Sequence, residues 1–163
     1  MTRSLAAAWA LAALPAAAAD APTYTVRLLT PQTALKAAQA ALAKCRSEGF
    51  QASVAVVDRS GILQAFVRDR FASPGSVDIA QGKARTAANF RMDTAALDRE
   101  IQPGRPSAGL RGLASIVAVG GGKPIEAGGA LLGAIGVSGA PGGANDDACA
   151  SAGIAAIAED LEF

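Results

Sequence analysis

Histidine is absent from this chain, and no other lack removes as much chemistry. Without an imidazole, Ser-His-Asp and Cys-His catalysis, histidine-based zinc sites and the commonest haem ligand are out of reach. Cysteine occurs only twice. That is too few for a zinc ribbon or an iron–sulfur site, and an even pair in an oxidising compartment reads first as a disulfide. Aromatic residues are 4% of the sequence, and the one tryptophan, Trp9, falls in an N-terminal stretch that reads as a leader. With Tyr24 as the sole tyrosine, few rings remain to stack on nucleobases. Neither charge is in surplus, with 15 Lys+Arg against 14 Asp+Glu. Nothing in that balance drives binding to phosphate backbones or anionic lipid, which disfavours nucleic acid and membrane surfaces as partners.

What is present begins with an address label. Arg3 supplies a positive start, residues 5–14 an apolar stretch too short to span a bilayer, and Ala17-Ala18-Ala19 a small-residue cleavage site. Pro15 interrupts the run and no stop-transfer pattern follows. Cleavage after Ala19 is therefore expected, with export to a bacterial periplasm or beyond. Loss of Arg3 brings the basic count to 14, level with the acidic one. Residues 20–163 have the length of one ordinary domain with a real core.

After a short lead-in, Thr30 and Pro31 open a helix as capping hydroxyl and first-turn proline, and Gly49 closes it. Leu35, Ala38, Leu42 and Cys45 recur on one face of that helix. Residues 51–58, with Val54, Val56 and Val57, read as a strand buried on both faces, and Asp58-Arg59-Ser60-Gly61 turns it into a second strand over 62–68. Residues 73–90 read as a helix, and Asp93 or Thr94 caps a short one ending before Pro103. A loop over 102–112 follows. Residues 113–119, a piece around Pro124 to Glu126, and residues 130–138 read as strands separated by glycine turns. A last helix is expected from Asn145 to about Leu161, with Asp146 and Asp147 in its first turn, where carboxylates suit the helix dipole. The order α-β-β-α-α-β-β-β-α fits an α+β fold: one antiparallel sheet of about five strands, with the terminal helices on one face. If the first strand pairs with the strand before the last helix, Cys45 and Cys149 come together, and a disulfide between them is expected.

Two apparent motifs have simpler readings. Gly120-Gly121-Gly122-Lys123-Pro124 resembles a phosphate cradle, but Val117 stands where the P-loop needs glycine and Pro124 where it needs Ser/Thr. A structural glycine turn is favoured. Gly136-Val137-Ser138-Gly139 resembles a nucleophile elbow, yet Ala140 replaces its last glycine and no histidine exists to activate Ser138. Ser138 reads as a strand-end or pocket-wall hydroxyl. Helical spacing places Lys83 on one stripe with Ile79, Thr86 and Phe90. It is either a snorkelling lysine at the core edge or a cation at a pocket or subunit interface.

The segment Gly120-Gly121-Gly122-Lys123-Pro124-Ile125 and the strand Leu131-Leu132-Gly133-Ala134-Ile135-Gly136-Val137-Ser138, read with Lys83-Ala84-Arg85-Thr86-Ala87 and Asn145-Asp146-Asp147-Ala148-Cys149-Ala150, together resemble the GlcG/HbpS-type haem-binding family. The same domain forms the C-terminal part of PduO-type corrinoid adenosyltransferases. The resemblance runs from about Leu29 to the C-terminus. It implies a profilin- or roadblock-like sandwich that assembles into homo-oligomers and takes haem or another small molecule. It also implies ligand contacts from Lys83, Arg85, Thr86, Phe90, Gly121, Gly122 and Ser138, with Lys83 and Arg85 facing carboxylates such as haem propionates. Several relatives use a histidine as axial ligand; here only Met92, Tyr24, a cysteine, Thr86 or Lys83 could serve. A weakly ligated, high-spin haem is the expectation. Two other roles stay open: an accessory module for a periplasmic sensor or dehydrogenase, and an enzyme acting on a small carboxylate or on haem, with Lys83, Arg85 and Asp146 at its site.

Overall fold

Helix α1, Pro31–Ser47, begins as its sequence dictates: the Thr30 hydroxyl accepts the Thr33 N–H at 3.2 Å, and Pro31 occupies the first turn. This is a computed structural model that describes residues 22–162. The expected leader and its cleavage point lie outside those residues. Gly49, at φ +81°, ends the helix in a conformation glycine adopts without strain.

Strands β1 (Ser53–Asp58) and β2 (Leu63–Arg68) form the expected hairpin, closed by the Asp58 carboxylate, which accepts the N–H groups of Ser60 at 2.8 Å and Ile62 at 2.9 Å. Helix α2 spans Gly75–Phe90 and α3 spans Thr94–Glu100. Strands β3 (Gly122–Ala127) and β4 (Ala130–Ser138) then make a second hairpin, and α4 runs Gly143–Ala155. The sheet is wholly antiparallel with order β2-β1-β4-β3; Val56 faces Ile135 and Ser53 faces Ser138 across the central pair.

Alternation along the central strands sends their side chains to two different layers. Val54, Val56, Ile135 and Val137 join α1 and α4 in the larger core, where Cys45 and Cys149 form the expected disulfide with Cα atoms 5.4 Å apart. On the other face, Ala55, Val57 and Ala134 meet Ala80, Ala84 and Ala87 of α2. Gly136 is what lets α2 lie so low: a Cβ there would collide with the Ala80 carbonyl and the Ala84 amide.

The sheet has four strands, not five. Residues 113–119 follow a 3-10 turn at Ala108–Gly112 and form no ladder. Their backbone is held by side chains instead: the Val117 N–H donates to Thr86 Oγ1 at 3.0 Å, and Thr94 Oγ1 donates to the Val119 carbonyl at 2.7 Å. The last helix starts two residues earlier than expected and stops at Ala155, before a separate 3-10 turn at Glu159–Leu161. On α1, Leu35 is exposed, and the buried stripe is Ala34, Ala37, Ala38, Ala41, Leu42 and Cys45.

Candidate functional site

Lys83 sits in the middle of α2, on the turn that crosses the end of β4, and its side chain is 2% exposed. A buried ammonium survives only with partners. Its Nζ donates to Asp146 Oδ2 at 2.7 Å and to the Val137 carbonyl at 2.9 Å, which joins α2, β4 and α4 at one point. Asp146 Oδ1 accepts the Ala140 N–H at 3.0 Å. Burial pushes the Asp146 carboxyl above its ordinary range, and the Lys83 hydrogen bond and charge oppose that push.

Glycines seal this pair from the β3 side. Gly121 is at φ +116°, and a Cβ on it would lie 2.6 Å from both Asp146 Cβ and the Val137 carbonyl. Gly122 has the same constraint against Thr94, whose hydroxyl also accepts the Gly122 N–H at 2.9 Å. The Gly121 N–H donates to Asp147 Oδ1 at 2.7 Å. The glycine run is thus a turn packed on an ion pair, and the Gly121 and Gly122 amides are taken by side chains of this chain.

Two clefts open on the outer side of α2, sharing a wall made by Ile79 and Val117. One, of about 430 Å³, lies between α2 and residues 114–117 and is bordered by Gly82, Arg85 and Asn89. Gly82 is required there, since a Cβ would meet Val117 Cγ2 at 2.5 Å. The Arg85 side chain is exposed at this cleft's border and has no partner among the described residues. The other cleft, of about 370 Å³, ends on Lys83, Asp146, Ser138 and the start of α4. A broader depression of about 610 Å³ between α3 and α4 holds neither Lys83, Arg85, Thr86 nor Ser138, and its charged lining, Asp98, Arg99, Arg111 and Asp147, is balanced, with Arg111 and Asp98 paired at 3.5 Å.

The residues named from sequence therefore divide by role. Arg85 borders the first cleft; Lys83 and Ser138 line the second; Thr86 is buried and fastens Val117; Phe90 is half-buried in the last turn of α2 and lines neither cleft. Met92 and Tyr24 also line neither, and both cysteines are consumed by the disulfide. Sequence reasoning missed Thr94, buried and bonded to both Val119 and Gly122. Its only signal was as a possible helix cap.

The family model described as "Haem degrading protein HbpS-like" matches residues 29–155. The chain belongs to the HbpS-like family. It is similar to the crystal structure of a double mutant of Streptomyces reticuli HbpS, with 37% identity and a TM-score of 0.78, covering 88% of this chain and 97% of that one. It is also similar to the crystal structure of a PduOC:heme complex, with 29% identity and a TM-score of 0.76, over 80% of this chain and 95% of that one. Protein GlcG of Escherichia coli K12 is 33% identical over 111 residues, 68% of this chain and 81% of GlcG. Within this HbpS-like fold, the two clefts lie beside the Lys-Ala-Arg-Thr-Ala and glycine segments that carried the resemblance.

The lining of the Arg85 cleft fits the body of a haem. Ile79, Gly82, Ala114 and Val117 offer apolar surface, and Arg85 offers a cation for a propionate. For the iron it offers only oxygen or amide groups from Asp78, Ser115 or Asn89.

Proposed function

We propose that this chain is an exported haem-binding protein that holds its ligand without turning it over. The observation that carries this reading is Arg85: an unpaired, exposed guanidinium bordering a cleft with apolar walls, in a fold whose relatives include a haem complex. Arg85 binds a propionate, the Ile79 and Val117 wall takes the porphyrin face, and Thr86 positions that wall through Val117. When bound, haem supplies a redox-active iron with weak protein ligation. Lys83 acts from behind the site, holding α2 against α4.

Binding in place of turnover is favoured because Asp146, the buried carboxylate of the neighbouring cleft, is committed to Lys83 and the Ala140 amide. Export is supported by the Cys45–Cys149 disulfide and by the leader pattern. No helix among the described residues is long and apolar enough to cross a membrane. Exposed Ile79, Leu113 and Val119 lie near the cleft mouths, and a symmetric homo-oligomer covers them.

Titrating haemin into the purified protein tests the reading. A saturable Soret change of high-spin type is expected. No saturable change removes haem as the ligand and favours the protein-partner role, and a sharp low-spin spectrum contradicts weak ligation.

A further inference from the structure

The cleft at the start of α4 contains polar groups that nothing in the fold uses. Ser138, in the last position of β4, is 7% exposed and lines this cleft, yet its hydroxyl has no hydrogen-bond partner among the described residues. The residue is otherwise packed, so what exposure it keeps leaves the hydroxyl free to meet a molecule in the cleft. Lys83 has three N–H donors and spends two, on Asp146 and the Val137 carbonyl. Helix α4, thirteen residues long, starts at Gly143 with no side chain capping its first-turn amides, and Gly142 and Gly143 line the same cleft. Hydroxyl, ammonium and helix start are all donors, and they share one small space.

We infer that this cleft binds a small monocarboxylate, with Ser138, Lys83 and the first turn of α4 receiving the carboxylate and Ile79, Val117 and Val119 enclosing a short apolar body. The site charge selects a monoanion. Asp146 balances Lys83, which leaves the partial positive charge of the α4 N-terminus, about half a unit. A dianion such as phosphate brings a second negative charge beside the Lys83–Asp146 pair, with only that partial charge to offset it. Size sets the other limit: about 370 Å³ holds at most about a dozen water-sized atoms. This inference is independent of the haem reading, since the Arg85 cleft lies on the other side of the Ile79–Val117 wall.

Sodium butyrate titrated into the haem-free, disulfide-intact protein tests it by calorimetry and by amide NMR shifts. Saturable binding is expected, with shifts at Gly143 and Ala144 and no competition from inorganic phosphate at equal concentration. Ser138→Ala removes one hydrogen bond to a charged group and should raise Kd about tenfold. Val119→Glu, at an exposed rim position, leaves the fold alone and should weaken binding several-fold by like-charge repulsion. Absence of saturable butyrate binding overturns the inference, as does phosphate binding tighter than butyrate, or wild-type affinity in either variant. Haemin takes no part in the experiment, so its failure leaves the haem reading standing.

Discussion

The same four strands present two faces that are packed in different ways. Toward α1 and α4 the sheet offers Val54, Val56, Ile135 and Val137, and the layer is locked by a disulfide whose cysteines are 104 residues apart. Toward α2 it offers Ala55, Val57, Ala134 and Gly136, and where a large apolar side chain could sit it buries Lys83 against Asp146. The first arrangement buries a large apolar cluster. The second brings a helix backbone down onto the sheet, gives up apolar area, and fixes polar groups beside two clefts. Both faces contribute to stability, one through a disulfide and the other through an ion pair, and both clefts lie at the α2 face.

The largest effect should come from breaking the ion pair on the α2 face. Lys83→Met leaves a buried carboxylate uncompensated and should cost about 3–5 kcal/mol, whereas replacing both partners by apolar residues should cost less than either single change. Urea unfolding of the two singles and the double reads this directly, and a single that is no worse than the double would break the comparison. On the opposite face, Cys45→Ala with Cys149→Ala opens the long loop and should cost about 2–5 kcal/mol. Gly136→Ala should cost about 1–3 kcal/mol through overpacking, because α2 must lift off β4. Gly153→Ala is its counterpart between α1 and α4, where a Cβ would lie 2.7 Å from the Ala37 carbonyl. It should lower the melting temperature and leave haemin binding unchanged.

The smallest effect separates the faces by pH. Asp69 accepts a hydrogen bond from Arg46 of α1 at 2.6 Å, and that bond holds its carboxyl below the ordinary value of 3.8. Its contribution to stability is present above that value and is lost as pH falls through the lowered one. Asp146 runs the other way. Its contribution is fully present below 3.8 and is lost as pH rises through its raised value. A carbon-13 carboxylate titration should find Asp69 below the ordinary range and Asp146 above it.

Local chemistry made the fold legible where neighbours in sequence decide the outcome. Thr30 with Pro31, the Asp58 turn and the β4 run over Ala130–Ser138 each stand where their residues placed them. Residues 113–119 were misleading because an apolar, β-branched run reads alike whether it joins a ladder or walls a cleft. What decided between them was distant: Thr86 on α2 and Thr94 on α3 supply the partners a strand would have supplied. The site was legible in type and not in role. Lys83 drew notice as a charge on an apolar stripe, but its two contacts, to Val137 and Asp146, come from elements 54 and 63 residues away. The glycine run forms a turn, and Gly121 and Gly122, for which the resemblance implied ligand contacts, line neither cleft; the reason for the run, the proximity of Lys83 and Asp146, needs the tertiary fold.

Haemin affinity measured side by side in Arg85→Ala and in the Cys45→Ala, Cys149→Ala variant tests the division of labour most directly. Arg85→Ala should raise Kd about tenfold or more with an unchanged melting temperature, from loss of one charge-assisted contact. The cysteine variant should melt lower and bind haemin as the wild type does. Unchanged affinity in Arg85→Ala, or affinity lost with the disulfide in protein that is still folded, would contradict the account.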